Sequence, residues 1–169
     1  MNSSTDQRIA RLEARFEVGD LMAEYLYLVD REPRRESMEA LFTEDAIWEP
    51  KGNHSELEPV HGRSAIGEML SGLPESFSFT VHYVTNPKIR ISDDLQTADG
   101  RWHALEFIST REPVNDLVEV AWYESSFEFH DGRWLISHVK YTDTLVFPYA
   151  EGWTNTRFVS LFTGDRIPR

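Results

Sequence analysis

The hydrophobic pattern of the chain changes from helical to strand-like near residue 77, and this change constrains the fold more than any other feature. Before it, apolar residues recur at intervals of three, four or seven, the spacing of one helical face. After it, four segments rich in aromatic and β-branched residues alternate with Asp-Asp, Glu-Pro and Asp-Gly turn signals. These segments cover residues 77–92, 95–110, 117–132 and 133–147. Helices followed by a strand meander predict an α+β fold, with N-terminal helices packed on a curved, mainly antiparallel sheet.

Length and charge narrow the classes of partner. With 169 residues and no internal repeat, the chain is expected to form one domain over residues 1–169. The net charge is −12, and Lys and Arg are scattered, which argues against a nucleic-acid partner. No apolar run approaches the roughly 20 residues that span a bilayer, so no membrane partner is expected.

The N-terminus and the cysteine count address location and cofactors. The first residues are polar and lack the apolar core of a signal peptide. Because the chain contains no cysteine, disulfides, thiolate metal sites and a cysteine nucleophile are excluded. No histidine pair has the spacing of a helical HExxH zinc site. We therefore expect a cytoplasmic protein that uses no metal and no cofactor.

The first helix ends in an unusual acid. Asp6 is expected to cap it, and Pro33 to stop it. Its last apolar run, Leu26 to Val29, is followed directly by Asp30, near the negative end of the helix dipole, where a carboxylate is mildly unfavourable. Asp30 therefore either faces water or meets a protonatable histidine. The apolar residues at helical spacing that are expected to form the buried face are Ile9, Leu12, Phe16, Ala23 and Tyr27.

Two of the six histidines lie in apolar strand-like segments and are candidate site residues. His82 lies within Phe79–Val84, and His103 shares a strand face with Leu105 and Phe107. An imidazole among apolar neighbours needs a hydrogen-bond partner, and a carboxylate is the strongest one. Each of the two is either a satisfied core histidine or a catalytic group. His54, His61 and His130, in polar loops or turns, are expected to be idle at the surface.

The order of motifs resembles a known family. A helix ending in YLYLVD is followed by MEALFTEDAIWE, HGRSAI, VHYVTNPKI and DGRWLISHVKYTDTLVF. This order, over residues 8–148, resembles the SnoaL-like branch of the nuclear-transport-factor-2-like superfamily, whose fold is a cystatin-like α+β cone. The resemblance extends to its scytalone dehydratase, bile-acid 7α-dehydratase and hexachlorocyclohexane dehydrochlorinase members.

That resemblance implies a function and a site. Asp30 and His82 fall on the family's Asp–His dyad, Tyr25 on a tyrosine five residues before the aspartate, and His103 on a second histidine. The implied activity is a cofactor-independent lyase that performs dehydratase-type β-elimination on a small hydrophobic substrate. In this mechanism His82 takes a proton, Asp30 orients it, and Tyr25 and His103 bind or protonate the oxygen. The alternatives are an isomerase or polyketide-type cyclase using the same dyad, and a non-catalytic ligand-binding protein.

The resemblance also implies a deep apolar pocket and a homo-oligomer, either a dimer or a trimer. The aromatic segment 141–153 is interpreted either as a lid on this pocket or as a tail that only completes the core or makes a dimer contact. The residues expected to bind substrate are aromatic or apolar: Tyr27, Trp48, Val84, Trp102, Trp122, Tyr123, Phe147 and Trp153.

Overall fold

The computed structural model describes residues 4–52 and 57–166. The longest helix comes first and the four longest strands follow one another after the third helix, which confirms the α+β class. The helices are α1 (Thr5–Arg31), α2 (Arg35–Glu39), α3 (Arg63–Ser76) and α4 (Gly152–Asn155). The strands are β1 (Phe42–Lys51), β2 (Val60–His61), β3 (Phe77–Ile91), β4 (Thr97–Thr110), β5 (Asn115–His130) and β6 (Arg133–Pro148). His54, predicted to be an idle surface residue, lies outside the described residues.

The strands form a six-stranded sheet in the order β2-β1-β6-β5-β4-β3. Strand β1 runs parallel to β6, and the other neighbouring pairs are antiparallel. Strands β3 to β6 form the predicted meander. Asp131 and Gly132, both with positive φ, make the predicted hairpin turn between β5 and β6, since a two-residue hairpin loop needs that conformation.

Helix α1 buries a different face from the predicted one. The helix also begins earlier: Ser4, rather than Asp6, caps it, with the Ser4 hydroxyl accepting from the Gln7 backbone N–H at 3.2 Å. Two apolar stripes run along this helix at similar spacing, and sequence alone does not show which one meets the sheet. The buried stripe is Ala14, Val18, Met22, Tyr25, Leu26 and Val29. The predicted stripe, Ile9, Leu12, Phe16, Ala23 and Tyr27, is exposed.

The main hydrophobic core lies between the helices and the sheet face that they cover, called here the inner face. Strand β4 alternates without interruption from exposed Thr97 to buried Ile108, because successive side chains of a strand point to opposite faces. A smaller cluster joins the start of β3 to β6 and the C-terminal segment through Phe77, Val146 and Val159. Of the helices in the described part of the chain, none has the length and apolar character needed to cross a membrane.

Candidate active site

The end of α1 and the middle of β3 meet through Asp30 and His82. The Asp30 Oδ1 atom lies 2.6 Å from His82 Nδ1, and Asp30 Oδ2 accepts the His82 backbone N–H at 2.9 Å. Both carboxylate oxygens are thus used on one residue, which fixes the ring and directs its second nitrogen away from the helix. The acid at the end of the apolar run therefore has the histidine partner, 52 positions later, that the sequence suggested.

A second carboxylate occupies the other nitrogen of His82. The β3–β4 register pairs His82 with Glu106, and His82 Nε2 lies 3.1 Å from Glu106 Oε2. Glu106 is only 3% exposed and also accepts a hydrogen bond from the Tyr141 hydroxyl at 3.3 Å. The sequence interpretation missed Glu106. Its signal was its parity, since Glu106 shares a strand face with Trp102, Ala104 and Ile108.

The two carboxylates set the charge of His82. Burial alone would lower the pKa of His82, but the charges and hydrogen bonds of Glu106 and Asp30 raise it to about 10. At neutral pH the ring is therefore an imidazolium that donates from both nitrogens. The sequence interpretation left Nε2 free to take a proton, and the structure instead places a carboxylate on it.

A cavity of about 130 Å³ opens on this group. One end is polar, with His82, Glu106 and Glu119 beside the hydroxyls of Tyr25, Tyr123 and Tyr141. The rest of the wall is apolar and includes Val29, Leu70, Leu73, Phe77, Ile108 and Leu161. Asp30 lies behind His82 and does not line the cavity. An apolar cup with a few convergent polar groups is the usual form of a small-molecule site.

Two of the predicted site residues lie together at the polar end. Trp48 donates its indole N–H to the Tyr25 hydroxyl at 3.1 Å, which leaves the Tyr25 proton available to an acceptor. Burial raises the pKa of the Tyr25 hydroxyl, and the Trp48 hydrogen bond offsets only part of the rise, so Tyr25 is a neutral phenol. Burial, followed by the charge of Glu106, likewise raises the pKa values of Tyr123 and Tyr141.

His103 does not belong to this site. It is exposed on the opposite side of β4, called here the outer face, where its ring packs on Trp122 with a centroid distance of 3.8 Å. The prediction that it lies in the pocket is wrong, because an odd-numbered residue of β4 points away from the helices. The β4 side chain that contacts His82 in the cavity is that of Glu106, and not the second histidine that was expected there.

Several predicted substrate-binding residues also lie elsewhere. Tyr27 is 61% exposed on the outer stripe of α1. Trp102 is buried in the core against Phe127, and Val84 packs at the edge of that core. Phe147 contacts exposed Trp153 beyond the cavity. The predicted pocket residues that line the cavity are Tyr25, Trp48, His82 and Tyr123; those that do not are Tyr27, Val84, Trp102, His103, Trp122, Phe147 and Trp153.

The C-terminal segment reaches the cavity, but not through the stretch predicted as a lid. Residues 141–148 are the end of β6. The cavity wall is instead completed by Leu161 and Phe162, and Phe162 packs on Phe77 at 6.2 Å between ring centroids. Buried Val159 holds this segment against the fold.

Comparison with known proteins identifies the family. Residues 10–140 match the SnoaL-like domain model. The chain belongs to the SnoaL-like domain family. No curated protein sequence matches it.

Solved structures of similar fold include an enzyme, a candidate enzyme and a protein named for its fold. Hexachlorocyclohexane dehydrochlorinase type 3 from Novosphingobium barchaimii LL02 is 21% identical, with 90% of this chain and 99% of that chain covered and a TM-score of 0.74. A candidate scytalone dehydratase from Novosphingobium aromaticivorans is 23% identical (98% and 99% covered, TM-score 0.71). An NTF2-like protein with a cystatin-like fold from the same species is 20% identical (85% and 91% covered, TM-score 0.66). These likenesses confirm the predicted cone fold of this SnoaL-like chain.

Proposed function

We propose that this SnoaL-like protein is a lyase that removes a proton and a leaving group from a small apolar substrate. The observation that carries the proposal is the buried Asp30–His82–Glu106 chain at the end of an apolar cavity. Ionisable groups held in such a cup have little use in a protein that only packs or only binds an apolar ligand. The dehydrochlorinase and dehydratase names of structural neighbours support the reaction class.

Glu106 is the proton acceptor in the resting charge state. An imidazolium has no lone pair to offer, whereas Glu106 Oε1 has no hydrogen-bond partner among the described residues. The proton from the substrate C–H bond moves to Glu106, and the electrons of that bond form the new double bond as the leaving group departs with its bonding pair. His82, held by Asp30, steers the Glu106 carboxylate. The Tyr25 hydroxyl supplies a donor for the departing group.

The first test is turnover of the two compounds that the neighbours' names supply. Scytalone and hexachlorocyclohexane are incubated separately with the protein in D2O, and products are followed by mass spectrometry and proton NMR. Loss of water or of HCl supports the lyase. Deuterium uptake at carbon without loss of mass favours the isomerase or cyclase alternative, because the proton then leaves and returns. Binding of either compound, detected by ligand-observed NMR, without loss of mass and without deuterium uptake would favour a ligand-binding protein.

Substitutions then identify the acceptor. Glu106→Gln keeps the size of the side chain and removes its basic oxygen, so turnover should fall by about 10³-fold. The matched control is Glu124→Gln, on the same face of the molecule as His103 and away from the cavity. If the Glu106→Gln protein keeps its rate, the proton acceptor is His82, because the substitution frees its Nε2 atom from the carboxylate.

We also propose self-association through the outer face of the sheet. Phe79, Tyr83, Leu105 and Phe107 are exposed there on adjacent strands, and Tyr83 meets Phe107 edge to face at 6.3 Å. A contiguous aromatic patch of this kind is typical of a protein interface. The homo-oligomer that the family resemblance implies makes a second copy of this chain the occupant that we propose. Light scattering should give a dimer or trimer for the native protein and a monomer for Tyr83→Lys/Phe107→Lys. The control is Phe16→Lys, on the exposed stripe of α1, which should leave the molar mass of the oligomer unchanged.

A further inference from the structure

A second acid, Glu119, lies in the cavity and has no part in the mechanism above. The β4–β5 register places it directly opposite Glu106, and it is only 1% exposed. Its Oε1 atom is buried without a hydrogen-bond partner among the described residues, and the side chain lines the cavity. Buried polar atoms without partners are rare in folded proteins, so such an atom at a cavity wall points to a ligand.

The charges around Glu119 decide its protonation state. The titratable groups that face it are Glu106 on β4, Tyr141 and Asp143 on β6, and His82 on β3. The only cation among them is His82, and both of its nitrogens already meet Asp30 and Glu106. A further carboxylate here would be buried beside like charges without a cation of its own, and that arrangement favours the protonated acid.

We propose that Glu119 is a neutral carboxylic acid that donates a hydrogen bond to an oxygen of the bound substrate, and that the cavity therefore selects uncharged ligands over anions. The proposal deepens the function proposed above, because it names the substrate class of the same site: an uncharged molecule with at least one accepting oxygen, a class that includes scytalone and excludes hexachlorocyclohexane. Burial, followed by the charge of Glu106, raises the pKa of Glu119 well above its usual range, which supports the assignment.

The size of the cavity suits a small cyclic ligand. A cavity of about 130 Å³ is close to the roughly 150 Å³ that holds benzene in an engineered apolar site. The ring of the ligand packs on the leucines and phenylalanine of the wall, and its oxygen lies at the polar end beside Glu119. An anion entering that end would face Glu106 and the remaining acids, and His82 is already neutralised.

Three probes of similar size test separately for an accepting oxygen and for a negative charge on the ligand. Acetophenone offers a carbonyl oxygen, ethylbenzene offers none, and benzoate carries a negative charge. Ligand-detected NMR titration of the native protein should rank acetophenone above ethylbenzene by about tenfold, the worth of one hydrogen bond in a dry site, with benzoate weakest. Benzoate binding as tightly as acetophenone would overturn the proposal.

Substitutions test the donor itself. Glu119→Met removes the donor and should weaken acetophenone binding about tenfold while leaving ethylbenzene binding within about twofold. Glu119→Gln keeps an N–H donor in the same place and should retain acetophenone binding within about threefold. The matched control on the outer face of the same strand is Glu124→Gln, which should bind like the native protein. Unchanged acetophenone binding in Glu119→Met contradicts the assignment.

An infrared measurement on the folded native protein keeps the proposal testable if a variant fails to fold. At pH 7 the native spectrum should contain the carbonyl stretch of a protonated carboxylic acid, and the native-minus-Glu119→Gln difference spectrum should contain the same band. Its absence from the native protein overturns the proposal, even if Asp30→Asn abolishes turnover and the lyase stands. Conversely, the band and the acetophenone preference do not require turnover, so failure of the lyase leaves them intact.

Discussion

The two faces of strand β4 carry the same kinds of residue in very different surroundings. On the inner face, Glu106 is buried between His82 and Tyr141. On the outer face, His103 is exposed and packs on Trp122. Both are titratable side chains flanked by aromatic and aliphatic neighbours, and the two positions are three residues apart. Of these two side chains, only Glu106 on the inner face is buried and held against an ionic partner.

This difference shows that residue type alone does not make a site. Glu106 gains its role from the 3.1 Å contact with His82, which in turn depends on Asp30 at the end of α1. His103 has no such partner on the outer face in the described residues. The comparison predicts that perturbing the inner face alters chemistry and folding, whereas perturbing the outer face alters at most assembly.

The largest expected difference between the faces is in turnover. Asp30→Asn and His82→Gln should each lower the rate with whichever compound is converted by about 10²- to 10³-fold, since each breaks the chain that holds Glu106. His103→Gln should stay within about twofold of the native rate. The measurement is initial rate by mass spectrometry, with folding checked by circular dichroism. A large loss in His103→Gln would show that the outer face reaches the reaction.

Thermodynamic stability should separate the faces next. Phe127, on the inner face of β5, is 1% exposed and packs on Trp102, so Phe127→Ala should cost about 3–5 kcal/mol of unfolding free energy. Phe107, on the outer face of β4, is 36% exposed, and Phe107→Ala should cost about 1 kcal/mol. Urea unfolding at fixed protein concentration measures both. If the Phe107→Ala cost grows with protein concentration, the outer face stabilises an oligomer.

The fold was predictable from sequence because it depends on the spacing of apolar residues along whole helices and strands. That spacing remains recognisable when a single residue departs from it. The change of pattern near residue 77 and the Asp131-Gly132 turn placed the meander correctly. The contact between Asp30 and His82 was suggested by the awkward position of Asp30 and by family resemblance. The pattern change and the turn are robust signals, because one misplaced residue does not change a strand into a helix.

The faces were harder to predict, because a shift of one residue in parity moves every side chain of a strand to the other side. In β4 both parities contain apolar residues, so alternation alone did not decide between His103 and Glu106. The same ambiguity misassigned Phe16 and Tyr27 on α1, where two apolar stripes compete. Glu119 was missed because a charged residue in a strand is ordinarily taken as solvent-exposed. Its alternation with Leu117 and Ala121 was the available signal.

The pH dependence of stability tests the inner face through His82. Its pKa is raised from about 6.5 when unfolded to about 10 when folded. The stabilisation is therefore fully present below pH 6.5 and is lost as the pH rises through about 10. Urea unfolding of the native protein should give decreasing stability from pH 7 to pH 10, and His103→Gln should follow the same curve. A native curve that is flat over this interval contradicts an imidazolium held between Asp30 and Glu106.

The smallest expected effect belongs to the outer-face ion pair between Lys140 and Glu124, whose charged atoms lie 2.8 Å apart. The Lys140 side chain is 37% exposed and that of Glu124 53% exposed, so solvent screens the attraction and the pair contributes at most about 1 kcal/mol. Glu124→Gln should therefore change the unfolding free energy by no more than that, and the change should vanish at high salt. Glu106→Gln provides the inner-face contrast, because it leaves the buried imidazolium of His82 with one carboxylate instead of two and its effect should persist in salt. Equal salt sensitivity of the two variants would mean that water reaches Glu106 as freely as it reaches Glu124, and the distinction between the two faces would fail.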